Sequence, residues 1–169
     1  MSQSHKYNPN IHHRRSIRLQ GYDYSNEGMY FITICTHKMK HIFGIIEDEK
    51  MVLNELGIIA NEEWLNLANI FSNIELDEHQ VMPNHLHGIV VILHKTDNNK
   101  KTIGDIIGAY KSLVSNKCLE IFKAKDEIMG KLWHRNFYEH IILDKDAHYA
   151  ISEYIIDNPS NWTTDKFYS

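Results

Sequence analysis

Between two stretches of helical apolar spacing this chain places two β-patterned runs joined across a single break, Pro83-Asn84, and that arrangement restricts its folds more than any other feature. The runs, 74–81 and 85–93, read as a hairpin. Upstream, Leu56, Ile59, Ala60, Trp64, Leu67, Ala68 and Phe71 share one helical face, and Asn54 is placed to cap it. Downstream, Ile103, Ile106, Ile107, Tyr110, Leu113, Val114, Cys118 and Ile121 form a second stripe behind a Thr102 cap, with Lys111 and Lys117 off the stripe and the polar stretch 95–101 as a loop.

The outer segments complete the pattern. YFITICTH at 30–37 is dense in aromatic and β-branched residues, as a buried strand requires, and 45–53 reads as a small hairpin about an acidic turn. LWHRNFYEHIIL at 132–143 reads as one further strand. Asp144 can start a last helix, which must stop near Asn158 because Pro159 disfavours helical geometry in its predecessor. The order strand, helix, strand, strand, helix, strand, helix predicts an α+β fold, a ferredoxin-like βαββαβ sandwich with an antiparallel sheet and an added C-terminal helix.

A chain of 169 residues, 43% apolar and 24% charged, suits one domain, expected over 21–169 behind a basic arm at 1–20. That arm has no apolar run, so it resembles neither a signal peptide nor a membrane segment, and a cytoplasmic protein is expected. Cys35 and Cys118 are too few and too far apart for a zinc knuckle or disulfide framework and read as core residues. A net charge of -4 argues against nonspecific coating of duplex DNA. The charge is unevenly placed: Lys6, Arg14, Arg15, Arg18, Lys38 and Lys40 face only Asp23 and Glu27 within the first forty residues. His12-His13-Arg14-Arg15 with Arg18 can grip phosphates; a solvated terminus is the alternative.

Two constellations carry chemistry. In MPNHLHGIVV, His85 and His87 are two apart on a strand, so both imidazoles leave the same face, which suits a divalent metal. A polar row on a sheet face would show the same spacing. In the last helix Ala147, Ala150, Ile151, Tyr154, Ile155 and Asn158 follow helical spacing, so Tyr154 and Asn158 share the packed stripe. A core tyrosine followed by a helix-ending asparagine is the competing reading.

With YFITICTH at 30–37, MPNHLHG at 82–88, LWHRNFYEHII at 132–142 and YIIDNP at 154–159, the chain resembles the single-tyrosine HUH transposases, in particular their REP-associated tyrosine transposase branch. The likeness runs from about Arg14 to Pro159. It implies metal ligands at His85 and His87, a nucleophile at Tyr154 and a third ligand at Asn158, where related insertion-sequence transposases have glutamine. It also implies a divalent ion, Mg2+ or Mn2+, and single-stranded, often hairpin-forming DNA as substrate, cut and rejoined through a covalent 5′-phosphotyrosine. Arg14, Arg15, Arg18, Lys111 and Arg135 are the candidate DNA contacts, with Trp133 or Phe137 as either base-stacking or core residues. A nickase of the same class and a DNA-binding domain without catalysis are the alternatives; no membrane partner is expected, and a monomer and a homodimer are both compatible.

Overall fold

The computed structural model describes residues 23–93 and 101–168. The basic arm at 1–20, with Arg14, Arg15 and Arg18, and most of the 95–101 loop lie outside the described residues. The chain forms β1 (Gly28–Cys35), a hairpin of β2 (Gly44–Glu47) and β3 (Lys50–Leu53), α1 (Glu55–Ile70), β4 (Ile74–Val81), β5 (His85–Ile92), α2 (Ile103–Ala124), β6 (Tyr138–Ile142) and α3 (Lys145–Ile156). Short 3-10 turns occupy His37–Met39 and Trp162–Thr164. The four-stranded sheet has the order β4-β5-β1-β6, with every neighbour antiparallel. β5 is thus inserted between β4 and β1, which is the split plan of a ferredoxin-like sandwich.

Local chemistry starts each helix. The Asn54 side chain accepts the Gly57 amide at 3.0 Å, Thr102 and Asp105 form a reciprocal capping box, and the Asp144 carboxylate accepts the Ala147 amide at 2.8 Å. None of the helices among the described residues is long and apolar enough to cross a membrane.

Strand alternation divides the interior into two layers. Tyr30, Ile32 and Ile34 of β1 and Leu86, Val90 and Ile92 of β5 pack with Ala60, Trp64 and Leu67 of α1 and with Ile106, Ile107, Tyr110 and Val114 of α2. Gly88 belongs to this face: a Cβ there would meet Trp64 Cζ2 at 2.3 Å, so the indole occupies the room that glycine leaves. On the opposite face a smaller cluster of Ile89, Ile142 and Ile155 is joined by Phe31, Ile151 and Tyr154 beneath α3. A 2.5 Å contact between His148 of α3 and Asp77, at the irregularity in β4, holds this helix across the sheet.

The strand expected over 132–143 is corrected to β6 alone. Its first half is drawn off the ladder. Lys111 Nζ donates to the carbonyls of His134 at 2.9 Å and Asn136 at 3.0 Å, and the Trp133 indole donates to the Lys111 carbonyl at 3.1 Å. Only an isolated bridge between Thr36 and Trp133 remains of sheet pairing there.

Candidate active site and metal centre

His85 and His87 emerge from β5 on the α3 face, and both are fully buried. Their register partners across the sheet are Cys35 and Thr33. Each ring is held through Nδ1: His87 lies 2.8 Å from Thr33 Oγ1 and His85 lies 2.8 Å from Asn84 Oδ1. The Asn84 amide oxygen can only accept, so His85 donates through Nδ1–H and turns its Nε2 lone pair inward, the orienting role that outer hydrogen bonds play for metal-bound imidazoles. The Thr33 hydroxyl can hold the His87 ring in either tautomer. His85 Nε2 is buried and has no hydrogen-bond partner, and the same holds for Asn158 Oδ1. Orphaned buried acceptors facing one centre suit a cation.

α3 brings up the phenol. Tyr154 OH lies 3.2 Å from His87 Nε2, and its ring packs against those of His87 and Phe31. Asn158, 1% exposed, sits one turn further on, beyond the last helical residue, with its amide bonded to the Ile155 carbonyl at 3.3 Å. The structure therefore gathers four sequence-predicted residues, His85, His87, Tyr154 and Asn158, at one place.

A residue that sequence reasoning missed completes the cluster. After the Trp162–Thr164 turn, Asp165 Oδ2 accepts from Tyr154 OH at 2.8 Å and from Asn158 Nδ2 at 2.6 Å, while Oδ1 accepts the Phe167 amide at 2.6 Å. Ligand atoms of His85, His87 and Asp165 all lie within 4.8 Å of one another, so these three can hold a metal ion. Asp165 follows no helical or strand period. The signal that marks its segment is the density of aromatic residues around it, Trp162, Phe167 and Tyr168, which is high for a solvated terminus.

The electrostatics favour neutral imidazoles and a protonated phenol. Burial pushes His85 down to about 4, against the opposing pull of Asp165 and Asn158. His87 is held well below its usual value by burial and then by the charges of His85 and Lys166. Tyr154 is held well above its ordinary range by burial and by Asp165. Burial works to raise the Asp165 carboxyl, but the Phe167 amide, Tyr154 and Asn158 outweigh it and hold the group low.

The remaining candidates stand apart. Arg135 is exposed, on the loop whose neighbouring carbonyls Lys111 binds. Lys111 lies over the Phe137 ring at 5.9 Å, and burial pushes its ammonium down to about 8. Trp133, partly buried, packs on Phe43 and Tyr110 at the edge of the main core. Tyr138, on β6, is 49% exposed and lines a cavity of about 380 Å³ with Phe31, Thr33, His140 and Phe167.

No family model matches the chain. A Haemophilus influenzae protein, described as uncharacterized, is 38% identical over 180 residues, covering 96% of this chain and 97% of its own. Among solved structures, a REP-associated tyrosine transposase bound to a REP hairpin superimposes with a TM-score of 0.63 at 15% identity, over 89% of this chain and 77% of that one. A candidate transposase from Deinococcus radiodurans gives a TM-score of 0.51 at 17% identity, over 84% and 97% respectively. The chain belongs to the family of the Haemophilus influenzae protein, and its fold is that of the tyrosine transposases.

Proposed function

We propose that the protein is a metal-dependent nuclease and strand transferase of the HUH type, acting on single-stranded DNA through Tyr154. The observation that carries this reading is the Tyr154 hydroxyl, 3.2 Å from His87 Nε2 and 2.8 Å from Asp165 Oδ2, two groups that cluster with His85. An ordinary packing tyrosine has no need of two buried imidazoles, one of them with an unpartnered Nε2. The hairpin carried by the REP-associated neighbour supports foldback DNA as the substrate class.

His85 and His87, with Asn158 or Asp165 as oxygen donor, would hold a divalent ion, and magnesium or manganese suits phosphate chemistry. When bound, such an ion draws charge from a scissile phosphate oxygen. The protein's own part is positional. α3, pinned by His148 and Asp77, sets the phenol oxygen at the imidazole pair, and Thr33 and Asn84 keep the rings from rotating. The Tyr154 proton points at Asp165 Oδ2, which can receive it as the phenol oxygen forms its bond to phosphorus. The 3′-oxygen leaves and takes up a proton, and the 5′-phosphate stays on Tyr154. One ester has replaced another, so the reverse attack by a 3′-hydroxyl rejoins DNA without a nucleotide triphosphate.

DNA contacts are assigned to Arg14, Arg15 and Arg18 and to the exposed Arg135, with Lys111 shaping the Arg135 loop. The test uses 5′- and 3′-labelled hairpin oligonucleotides with single-stranded flanks, taken from the DNA beside the gene, in Mn2+ or Mg2+. A covalent adduct that retains the 5′-phosphate and releases a free 3′-hydroxyl is expected. Absence of any adduct with hairpin DNA that the protein does bind would leave only a DNA-binding domain.

A further inference from the structure

The C-terminal segment closes over the metal-ligating face from outside the elements that build it. Asn84, whose Oδ1 orients His85, donates its Nδ2 to the Phe167 carbonyl at 2.8 Å. The Phe167 ring packs, tilted, 4.9 Å from that of His85 and 5.6 Å from that of His87. Trp162 lies 5.9 Å from His85 and packs on Tyr168 and His41. Within this cover the one anionic group aimed at the inward imidazole nitrogens is Asp165.

Charge separates Asp165 from Asn158 as the oxygen donor. A neutral amide can complete a two-imidazole site but offsets neither charge of a divalent ion, whereas a carboxylate offsets one of them beside buried rings and is a hard donor suited to magnesium and manganese. Asn158 Nδ2 is already committed to Asp165 Oδ2 at 2.6 Å, which sets the carboxylate's direction.

Resting on the metal-dependent reading above, we propose that Asp165 is the anionic ligand of the divalent ion, with Asn158 as its positioning residue, and that ion binding therefore fastens the C-terminal segment over the histidines. Metal affinity and closure of the segment are then one linked equilibrium. The ion reinforces a cover otherwise held by the Asn84–Phe167 hydrogen bond, the hydrogen bonds of Asp165 to Tyr154 and Asn158, and ring packing.

The experiment measures Mn2+ binding by calorimetry on the full chain without DNA, and trypsin cleavage after Lys166, which removes the last three residues and is read by mass. Wild-type protein should bind Mn2+, and the ion should slow that cleavage. Asp165→Asn preserves the shape of the side chain and should bind roughly tenfold more weakly or worse, since ligand charge sets affinity at such sites. In this variant the protection by Mn2+ should be lost. Thermal melting in EDTA confirms that the variant is folded, and Asp165→Glu, which keeps the charge, should bind more tightly than Asp165→Asn. Wild-type affinity in Asp165→Asn, or no protection by Mn2+ in the wild type, overturns the inference. His85→Ala distinguishes the two levels: if it alone loses Mn2+ the metal centre stands without Asp165, and if it too binds normally the metal-dependent reading falls as well.

Discussion

Tyr154 OH and Asp165 Oδ2 are joined at 2.8 Å across eleven residues of chain, and this contact defines the candidate nucleophile more sharply than helical spacing does. It fixes the phenol's proton on one side and leaves the oxygen 3.2 Å from His87 Nε2 on the other. Tyr138 has no such relationship: it is half exposed, with its ring 6.0 Å from that of Phe167. Tyr154→Phe, which removes one oxygen, should therefore eliminate the covalent protein–DNA adduct on denaturing gels, while Tyr138→Phe retains it. An adduct surviving in Tyr154→Phe and lost in Tyr138→Phe would reverse the assignment.

The imidazole pair gives the second expectation. His85→Ala or His87→Ala should abolish cleavage at low metal concentration, yet leave hairpin affinity within a few-fold, because phosphate contacts rather than the metal carry most of the binding. Cleavage assays and filter binding on the same preparations separate the two effects. Full cleavage by His85→Ala would remove the metal from the mechanism.

How much of this was readable beforehand follows the range of the interactions involved. The caps at Asn54, Thr102 and Asp144 each act on an amide three residues away, so the helix starts were legible. The same is true of His85 and His87, whose common face follows from strand period alone. The early end of the expected last strand was not, because it depends on the Lys111 ammonium reaching carbonyls twenty-three and twenty-five residues away. Asp165 was hidden for a related reason: its partners lie across a turn with no periodicity.

Burial of the histidines makes stability depend on pH in a stated window. His85 has its folded value lowered to about 4 from an ordinary 6.5, so below 6.5 the unfolded chain takes up a proton that the folded chain refuses. Its neutral, buried ring therefore costs nothing above that value and becomes destabilising as pH falls towards 4. In EDTA, the stability of wild type relative to His85→Gln should drop by roughly 2–3 kcal/mol between pH 7 and pH 4.5, a shift of about two units being worth that much. Urea denaturation of both proteins at the two pH values measures it; a constant difference would mean that the ring protonates freely in the folded state.

Gly88 connects the core to the site. It lies between His87 and Ile89 on β5, and an added methyl would come within 2.3 Å of the Trp64 ring. Either the indole or the strand must shift. Gly88→Ala should destabilise the domain by about 1–3 kcal/mol, the usual cost of overpacking, and should weaken Mn2+ binding through displacement of His87. Thermal melting and calorimetry report the two consequences, and an unchanged melting temperature would show that Trp64 yields at no cost.

Lys111 supplies the last test, because a lysine beside the proposed DNA contact Arg135 invites assignment to phosphate while its geometry here points elsewhere. Its ammonium donates to two backbone carbonyls and lies over the Phe137 ring, and burial has already pushed it down to about 8. A phosphate would have to draw it away from these partners. Lys111→Met keeps the aliphatic stem but leaves the carbonyls of His134 and Asn136 without their donor, so stability should fall by on the order of 1–2 kcal/mol. The salt dependence of hairpin binding should keep its slope, since no phosphate contact is removed. Arg135→Ala on the same loop should do the opposite, lowering the slope by about one counterion with little change in stability. If Lys111→Met instead flattens the salt dependence and leaves the melting temperature unchanged, the lysine reaches DNA and the loop is held by other contacts.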